Sequence, residues 1–262
     1  MKNTWQFIDR TGEEGFNKFG TLMKIIKYNK ANDIIVEFQD EYKAKVHTKY
    51  CHFKNGSIRN PYDKEVCNIG YLGDEDYKSS ENGKSTKVYE TWRNMLKRCY
   101  DPYELNKEPT YIDCTVCKEW HCFQNFARWY EENYYEIKNE VMCLDKDILI
   151  KGNKIYSPAT CVFVPQRINN LFTKSDKIRG EYPIGVTEWK ERLSVKCSII
   201  DGNGNKKRKF LGYFPIDKIN EAFNCYKIFK EKYIKQIADE YKDLIPQNLY
   251  NALYSYRVEI ND

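Results

Sequence analysis

Histidine is scarce in this chain: His47, His52 and His121 are the only three in 262 residues. Histidine is the side chain that most readily exchanges a proton near neutral pH, so general-base chemistry has few places to reside. Long apolar runs are also missing. None approaches the ~20 residues that cross a bilayer, which argues against a membrane partner. Met1 to Arg10 carries Lys2, Gln6, Asp9 and Arg10 with no apolar core, so no secretory signal is expected there. Internal repeats and low-complexity tracts are absent. Neither sign of charge dominates: 43 basic against 38 acidic residues leave a net charge of +5, which permits contact with phosphate without demanding it.

Other residues are plentiful. Aromatics make up 15% of the chain, which argues against disorder, because disordered segments are poor in them. There are ten cysteines, and with no export signal they read as buried thiols or metal ligands rather than disulfides.

Hydrophobic periodicity divides the sequence into an α+β arrangement of three modules and a tail. Residues 1–73 show short alternating runs at Leu22–Tyr28, Ile34–Phe38 and Lys45–Tyr50, separated by turn signals; this predicts a small β-barrel. Lys24, Lys27, Lys43, Lys45, Lys49 and Lys54, with Tyr28, Tyr42 and Tyr50 between them, suit either a DNA grip or a folding cap.

Residues 74–174 begin with a helix capped by Ser85 or Thr86, with Val88, Trp92, Met95, Leu96 and Cys99 on one face. Asp101-Pro102 stops it. A second helix is expected over Lys118–Tyr134, then a hairpin of Val141–Leu144 and Cys161–Val164, then a short helix from Pro165 to Phe172. Ser175–Glu181 reads as a linker. Residues 182–245 predict three strands (Ile184–Glu188, Leu193–Ile200, Lys207–Tyr213), a turn at Asp201–Asn205 and a helix from Ile216 or Asp217 to Tyr241. Residues 246–262 read as a tail after Pro246.

The third module carries Gly185-Val186, then Leu211-Gly212-Tyr213-Phe214, then Asp217, Ile219, Glu221-Ala222 and Tyr226. In order and spacing it resembles the DNA-binding domain of plant ethylene-response factors. Phe223 departs from that pattern, standing where the family often has a small residue. The resemblance implies an antiparallel three-stranded sheet laid in the major groove of double-stranded DNA, with the helix packed behind. Reading or gripping residues would be Glu188, Trp189, Lys190, Arg192, Lys196 and Ser198, with Lys206, Lys207, Arg208 and Lys209 suited to phosphates. The family relies more on arginine for base contacts than this sequence does. A solvated sheet face is the alternative.

The middle module carries Trp92-x-x-Met95, Arg98-Cys99-Tyr100, Val116-Cys117-x-Glu119-Trp120, Phe123-x-x-Phe126, Leu144-Asp145-Lys146-Asp147, Tyr156-Ser157-Pro158, Cys161-x-Phe163 and Asn169-Asn170. This string resembles the HNH, or ββα-metal, endonucleases of phages and mobile elements. The resemblance implies a divalent-metal-dependent, site-specific DNA endonuclease of homing type, in a bacterial or phage-infected cytoplasm. Magnesium or manganese would be held by Asp145 and Asn169, with Asp147 as a second carboxylate and Asn170 orienting the phosphate.

One departure matters: Lys146 stands where the histidine base is expected, and its flanking carboxylates raise a lysine's pKa rather than lower it. His121 is the other candidate base, or a half-buried helix residue. An intact nuclease and a catalytically silent phage DNA-binding protein, a regulator or a factor countering host defence, therefore both stand; a protein-interaction role ranks after them. Cys114-x-x-Cys117 has zinc-knuckle spacing, with Cys99 and Cys161 as further ligands for a structural zinc; buried thiols are the alternative.

Overall fold

A computed structural model describes residues 8–74, 76–172, 181–200, 206–260 and 262. The linker expected at Ser175–Glu181 (except Glu181) and the turn expected at Asp201–Asn205 lie outside them. The protein is mixed α+β, and it divides into two compact units, 1–132 and 133–262. The expected middle module is thus shared: its two longer helices belong to the first unit and its hairpin with the short helix to the second.

The first unit opens with four antiparallel strands, β1 (Glu14–Phe16), β2 (Leu22–Lys30), β3 (Asp33–Phe38) and β4 (Lys45–Thr48), in that spatial order. The order β1-β2-β3-β4 leaves two edges, so the expected barrel is an open sheet. One face suffices because Met23, Ile25, Ile34, Val36 and Phe38 alternate onto it and are covered by Phe53 of helix α1 (Tyr50–Lys54) and by Ile58. Asp63 ties the following loop back, accepting from Asn17 Nδ2 at 2.6 Å and Thr21 Oγ1 at 2.5 Å.

After a small hairpin, β5 (Ser80–Glu81) and β6 (Lys84–Ser85), comes α2 (Lys87–Tyr100). Thr86 caps it, its Oγ1 accepting from the Tyr89 N–H at 3.3 Å, and Trp92, Met95, Leu96 and Cys99 are its buried stripe. Asp101 ends α2 and caps α3 (Pro102–Lys107) in turn, accepting from the Tyr103 N–H at 2.9 Å. A two-residue strand, β7 (Thr115–Val116), precedes the second expected helix.

That helix starts late. Lys118–His121 is a single 3-10 turn, Cys122 is extended, and α4 runs only over Phe123–Asn133. The interruption has a tertiary cause. The Tyr71 N–H donates to the His121 carbonyl at 3.0 Å and the Phe123 N–H to the Tyr71 carbonyl at 2.9 Å, taking both groups from the helical ladder. Trp92 Nε1 donates to the Trp120 carbonyl at 2.7 Å, fastening this turn to α2.

In the second unit, β8 (Met142–Asp145) is followed by a two-residue strand, β9 (Ile155–Tyr156), then β10 (Val162–Pro165) and α5 (Gln166–Asn169). β8 and β10 pair antiparallel with Asp145 opposite Val162 and Met142 opposite Pro165. The last sheet is β11 (Val186–Trp189), β12 (Arg192–Ile200) and β13 (Lys206–Pro215), antiparallel in that order. The 22-residue helix α6 (Ile219–Glu240) links the two parts. Its first half packs Ala222, Phe223 and Tyr226 on Val186, Leu193, Val195 and Cys197 of the sheet. Its second half packs Ile234, Ile237 and Ala238 on Val162, Val164, Ile168 and Leu171 of the hairpin and α5. The expected tail is a helix, α7 (Gln247–Ser255), whose Leu249 and Leu253 complete that core. Among the described residues no helix is long and apolar enough to cross a membrane.

Candidate functional site

Side-chain alternation decides what the ββα hairpin does with its acid. Cys143 and Asp145 lie on one face of β8, and their partners Val164 and Val162 are core residues beneath α5 and α6. Asp145 therefore points inward. Its Oδ1 accepts the N–H groups of Asp147 and Ile148, both at 2.8 Å, closing the turn that delivers Ile148 to the core. Burial, then the neighbouring Asp147 charge, push its pKa up to about 6, and the two carboxyl groups share a hydrogen bond.

Lys146 is 8% exposed. Its Nζ lies 3.2 Å from Asp147 Oδ2 and 5.7 Å from the centre of the Tyr156 ring, an ion pair and a cation–π contact. Asn153, which sequence reading did not single out, locks the same loop: its Nδ2 donates to the carbonyls of Lys146 and Ile155, both at 2.7 Å.

Asn170 Oδ1 accepts from Gln166 Nε2 at 3.1 Å, and Gln166 Oε1 accepts from Cys143 Sγ at 3.0 Å. This chain, also unforeseen, lays α5 across the Asp145 face of β8, and Asn169 is the last residue of α5. The hairpin–helix order of strand, strand and short helix is present, and Asp145, Asp147 and Asn170 are each engaged within the protein. One oxygen of Asp145 is taken by two amides, its carboxyl faces Asp147, Asp147 is paired with Lys146, and Asn170 is held by Gln166. Among the described residues no three His, Cys, Asp or Glu side chains form a metal-holding group.

His121 belongs to the first unit; its Nε2 is 3.2 Å from the Val116 carbonyl, and burial lowers its pKa. Cys99 and Cys114 are buried in the first unit, where Cys114 Sγ leans on the Thr110 carbonyl at 3.8 Å. Burial pushes the Cys117 thiol up, opposing the thiolate that zinc needs, and Cys161 is buried in the second unit. No disulfide forms. In the amino-terminal module, Lys24, Lys45 and Lys54 are paired with Glu14, Glu37 and Glu13 at 3.1, 3.6 and 3.3 Å, which blunts the basic tendency expected there.

The β11–β13 sheet sorts its cations by register. Residues paired across strands share a face. Leu193, Val195 and Cys197 face α6, so Lys209, opposite Cys197, and Lys207, opposite Ile199, lie on the helix side. Lys209 Nζ sits 5.0 Å from the centre of the Phe229 ring of α6. Two residues grouped by sequence with the DNA-facing set thus face the other way. The outer face carries Thr187, Trp189, Arg192, Lys196, Ser198, Lys206, Arg208, Phe210 and Tyr213. Trp189, Phe210 and Tyr213 are 56%, 48% and 52% exposed, an unusual outlay of aromatic surface beside cations. At the β11–β12 hairpin tip, Lys190 and Glu191 both hold positive φ, 48° and 60°, where asparagine and glycine are the easier residues. Lys190 Nζ lies 5.6 Å from the centre of the Trp189 ring, so the strained tip presents a cation on an aromatic plate.

Asp145→Asn keeps the amide-accepting oxygen and removes the buried charge. Asp145 has a raised pKa in the fold, so the stability it contributes is fully present below its unfolded value near 3.8 and is lost as pH rises through about 6. The variant is therefore expected to melt higher than the parent above pH 6 and to show no such gain at pH 4. Melting curves across this range test it, and a variant that is less stable at pH 8 would show that Asp145 is held ionised.

No known protein family, curated protein or solved structure matches the chain.

Proposed function

We propose that the chain is a double-stranded-DNA-binding protein in which the β11–β13 sheet takes the duplex and the ββα hairpin serves as a scaffold rather than a hydrolytic centre. The outer face of that sheet carries the reading. It gathers Lys190, Arg192, Lys196, Lys206 and Arg208 around three exposed aromatic rings on a rigid support. A three-stranded sheet is narrow enough for the major groove, cations hold phosphate, and exposed rings contact base edges and methyl groups. The resemblance to ethylene-response-factor domains points the same way.

The scaffold part of the proposal rests on Lys146. A buried ammonium ion-paired with Asp147 cannot accept a proton from water. Supercoiled plasmid and phage genomic DNA incubated with magnesium or manganese, with EDTA as control, provide the test. Binding without nicking is expected, unchanged in Asp145→Ala and Asn169→Ala. Metal-dependent nicking that both variants lose would overturn the scaffold reading and restore the homing-nuclease one, with those two residues as ligands.

A further inference from the structure

β11 ends the shared ladder early. It pairs only with residues 192–195 of β12, so residues 196–200 have β13 on one side and, among the described residues, no strand on the other. The Lys196 N–H turns away from β13 to the Gly185 carbonyl at 2.9 Å, and the Ile200 N–H turns the same way to the Tyr233 hydroxyl at 2.7 Å. Amide direction alternates along a strand, so the Ser198 N–H between them also points to the free edge.

A cleft of about 400 Å³ runs along this edge, within the range of about 300–1,000 Å³ common for small-molecule sites. Its walls are of two kinds. Phe172, Ile184, Ile199, Tyr226 and Tyr256 are apolar or aromatic; Lys196, Lys206, Arg208 and Lys230 are cationic. Asp262 also reaches the cleft, but its carboxylate is engaged by Lys151 Nζ at 2.8 Å and by the Glu259 N–H at 2.9 Å.

Lys230 is the decisive group. It projects from the middle of α6, is nine-tenths buried, and has no hydrogen bond or ion pair among the described residues. Its neighbour is the buried Cys197 thiol, and its remaining exposure is onto the cleft. Burying a cation without a counter-charge is costly. Methionine or leucine would fill the same space, so the fold does not call for a charge there. What would complete the position is an anion lying in the cleft.

We propose that this cleft binds a nucleoside phosphate, with the phosphate between Lys230, the Ser198 amide and the rim cations, and the base against the aromatic wall. The same chemistry has two sources, a free mononucleotide or a nucleotide at the end of, or displaced from, a DNA strand. The rim cations Lys196, Lys206 and Arg208 are shared with the outer sheet face, whereas Lys230 lies on the helix side and takes no part in duplex contact.

The test is calorimetric titration of the whole protein and of Lys230→Met with inorganic phosphate, with deoxynucleoside 5′-monophosphates and with a short single-stranded oligonucleotide. Lys230→Met removes an unpaired interior charge and is expected to melt no lower than the parent. Lys230→Met is expected to weaken binding about ten- to a hundredfold, the loss of one charge-assisted contact. Mononucleotide binding lost in the variant and competed by phosphate identifies a free-nucleotide site; oligonucleotide binding alone, lost in the variant, identifies a strand-borne one. No binding in any arm, or equal binding by the variant, overturns the proposal. Duplex binding measured in parallel is expected to be the same for both proteins, so failure here and failure of the sheet-face reading are separately visible.

Discussion

Affinity for duplex DNA is expected to fall by about two to three orders of magnitude between 50 and 200 mM salt. Five cations occupy the outer face and the hairpin tip of the last sheet: Lys190, Arg192, Lys196, Lys206 and Arg208. Each phosphate they neutralise releases condensed counterions, contributing about −0.9 to the slope of log affinity against log salt, so the whole set gives a slope of about −4 to −5. The register makes the prediction selective. Arg208, opposite Ser198 on the outer face, should when changed to Gln weaken binding and make the slope shallower by about one. Its neighbour Lys209, opposite Cys197 and lying over Phe229, should when changed to Gln leave both unchanged. Fluorescence anisotropy on labelled duplex at several salt concentrations measures both. Equal effects at the two positions would mean that net charge, not the sheet face, governs binding.

Gly185→Ala is expected to destabilise the second unit by about 2–4 kcal/mol, from overpacking and left-handed strain together. Gly185 has φ +80°, where a side chain is strained, and an added Cβ would stand 2.1 Å from Tyr226 Cδ2 and 2.4 Å from Cε2. Those are ring atoms of a buried residue in α6, not the far end of a flexible chain, so relief requires the helix to move off the sheet. The Gly185 carbonyl also accepts the Lys196 N–H, which couples the strain to the open edge of β12. Urea unfolding of the variant measures the cost. A change below about 0.5 kcal/mol, the size of an ordinary surface substitution, would show that Tyr226 yields without disturbing the sheet.

The two predictions differ in what made them visible. The Gly185-Val186 pair and the Tyr226 position stood out in the sequence, but the reason they belong together, ring against Cα, is a packing fact. The three strands and α6 were legible because their periods are local: Leu193, Val195 and Cys197 alternate, and Ala222, Phe223 and Tyr226 recur on one side of a helix. The Thr86 cap and the Trp92-Met95-Leu96-Cys99 stripe of α2 were legible on the same grounds. The orientation of Lys207 and Lys209 was hidden, since a run of four basic residues has no period to mark its helix-side members. The order of strand, strand and short helix from Met142 to Asn169 was legible from its apolar runs and Pro165. That Asp145 faces the core was not, because this depends on which side of the hairpin α5 and α6 cover.

The sequence by itself determined an α+β chain of short strands and amphipathic helices and a last module of three strands and a helix. These follow from side-chain period and from capping and turn residues, which act within a few positions. Only the tertiary structure decided the rest. A bridge from Tyr71 splits the second long helix at Cys122; the first sheet stays open because Phe53 and Ile58 cover one face; and the end of the chain folds as α7 because α6 offers Leu249 and Leu253 a core. It also decided that Asp145 closes a turn, that Lys146 is paired inside, and that Lys230 faces a cleft. Apart from the Asp145 turn and the Lys146–Asp147 pair, which are local contacts whose burial the fold decides, these are contacts between residues far apart in the chain, and their free energy exists only once the partner has arrived.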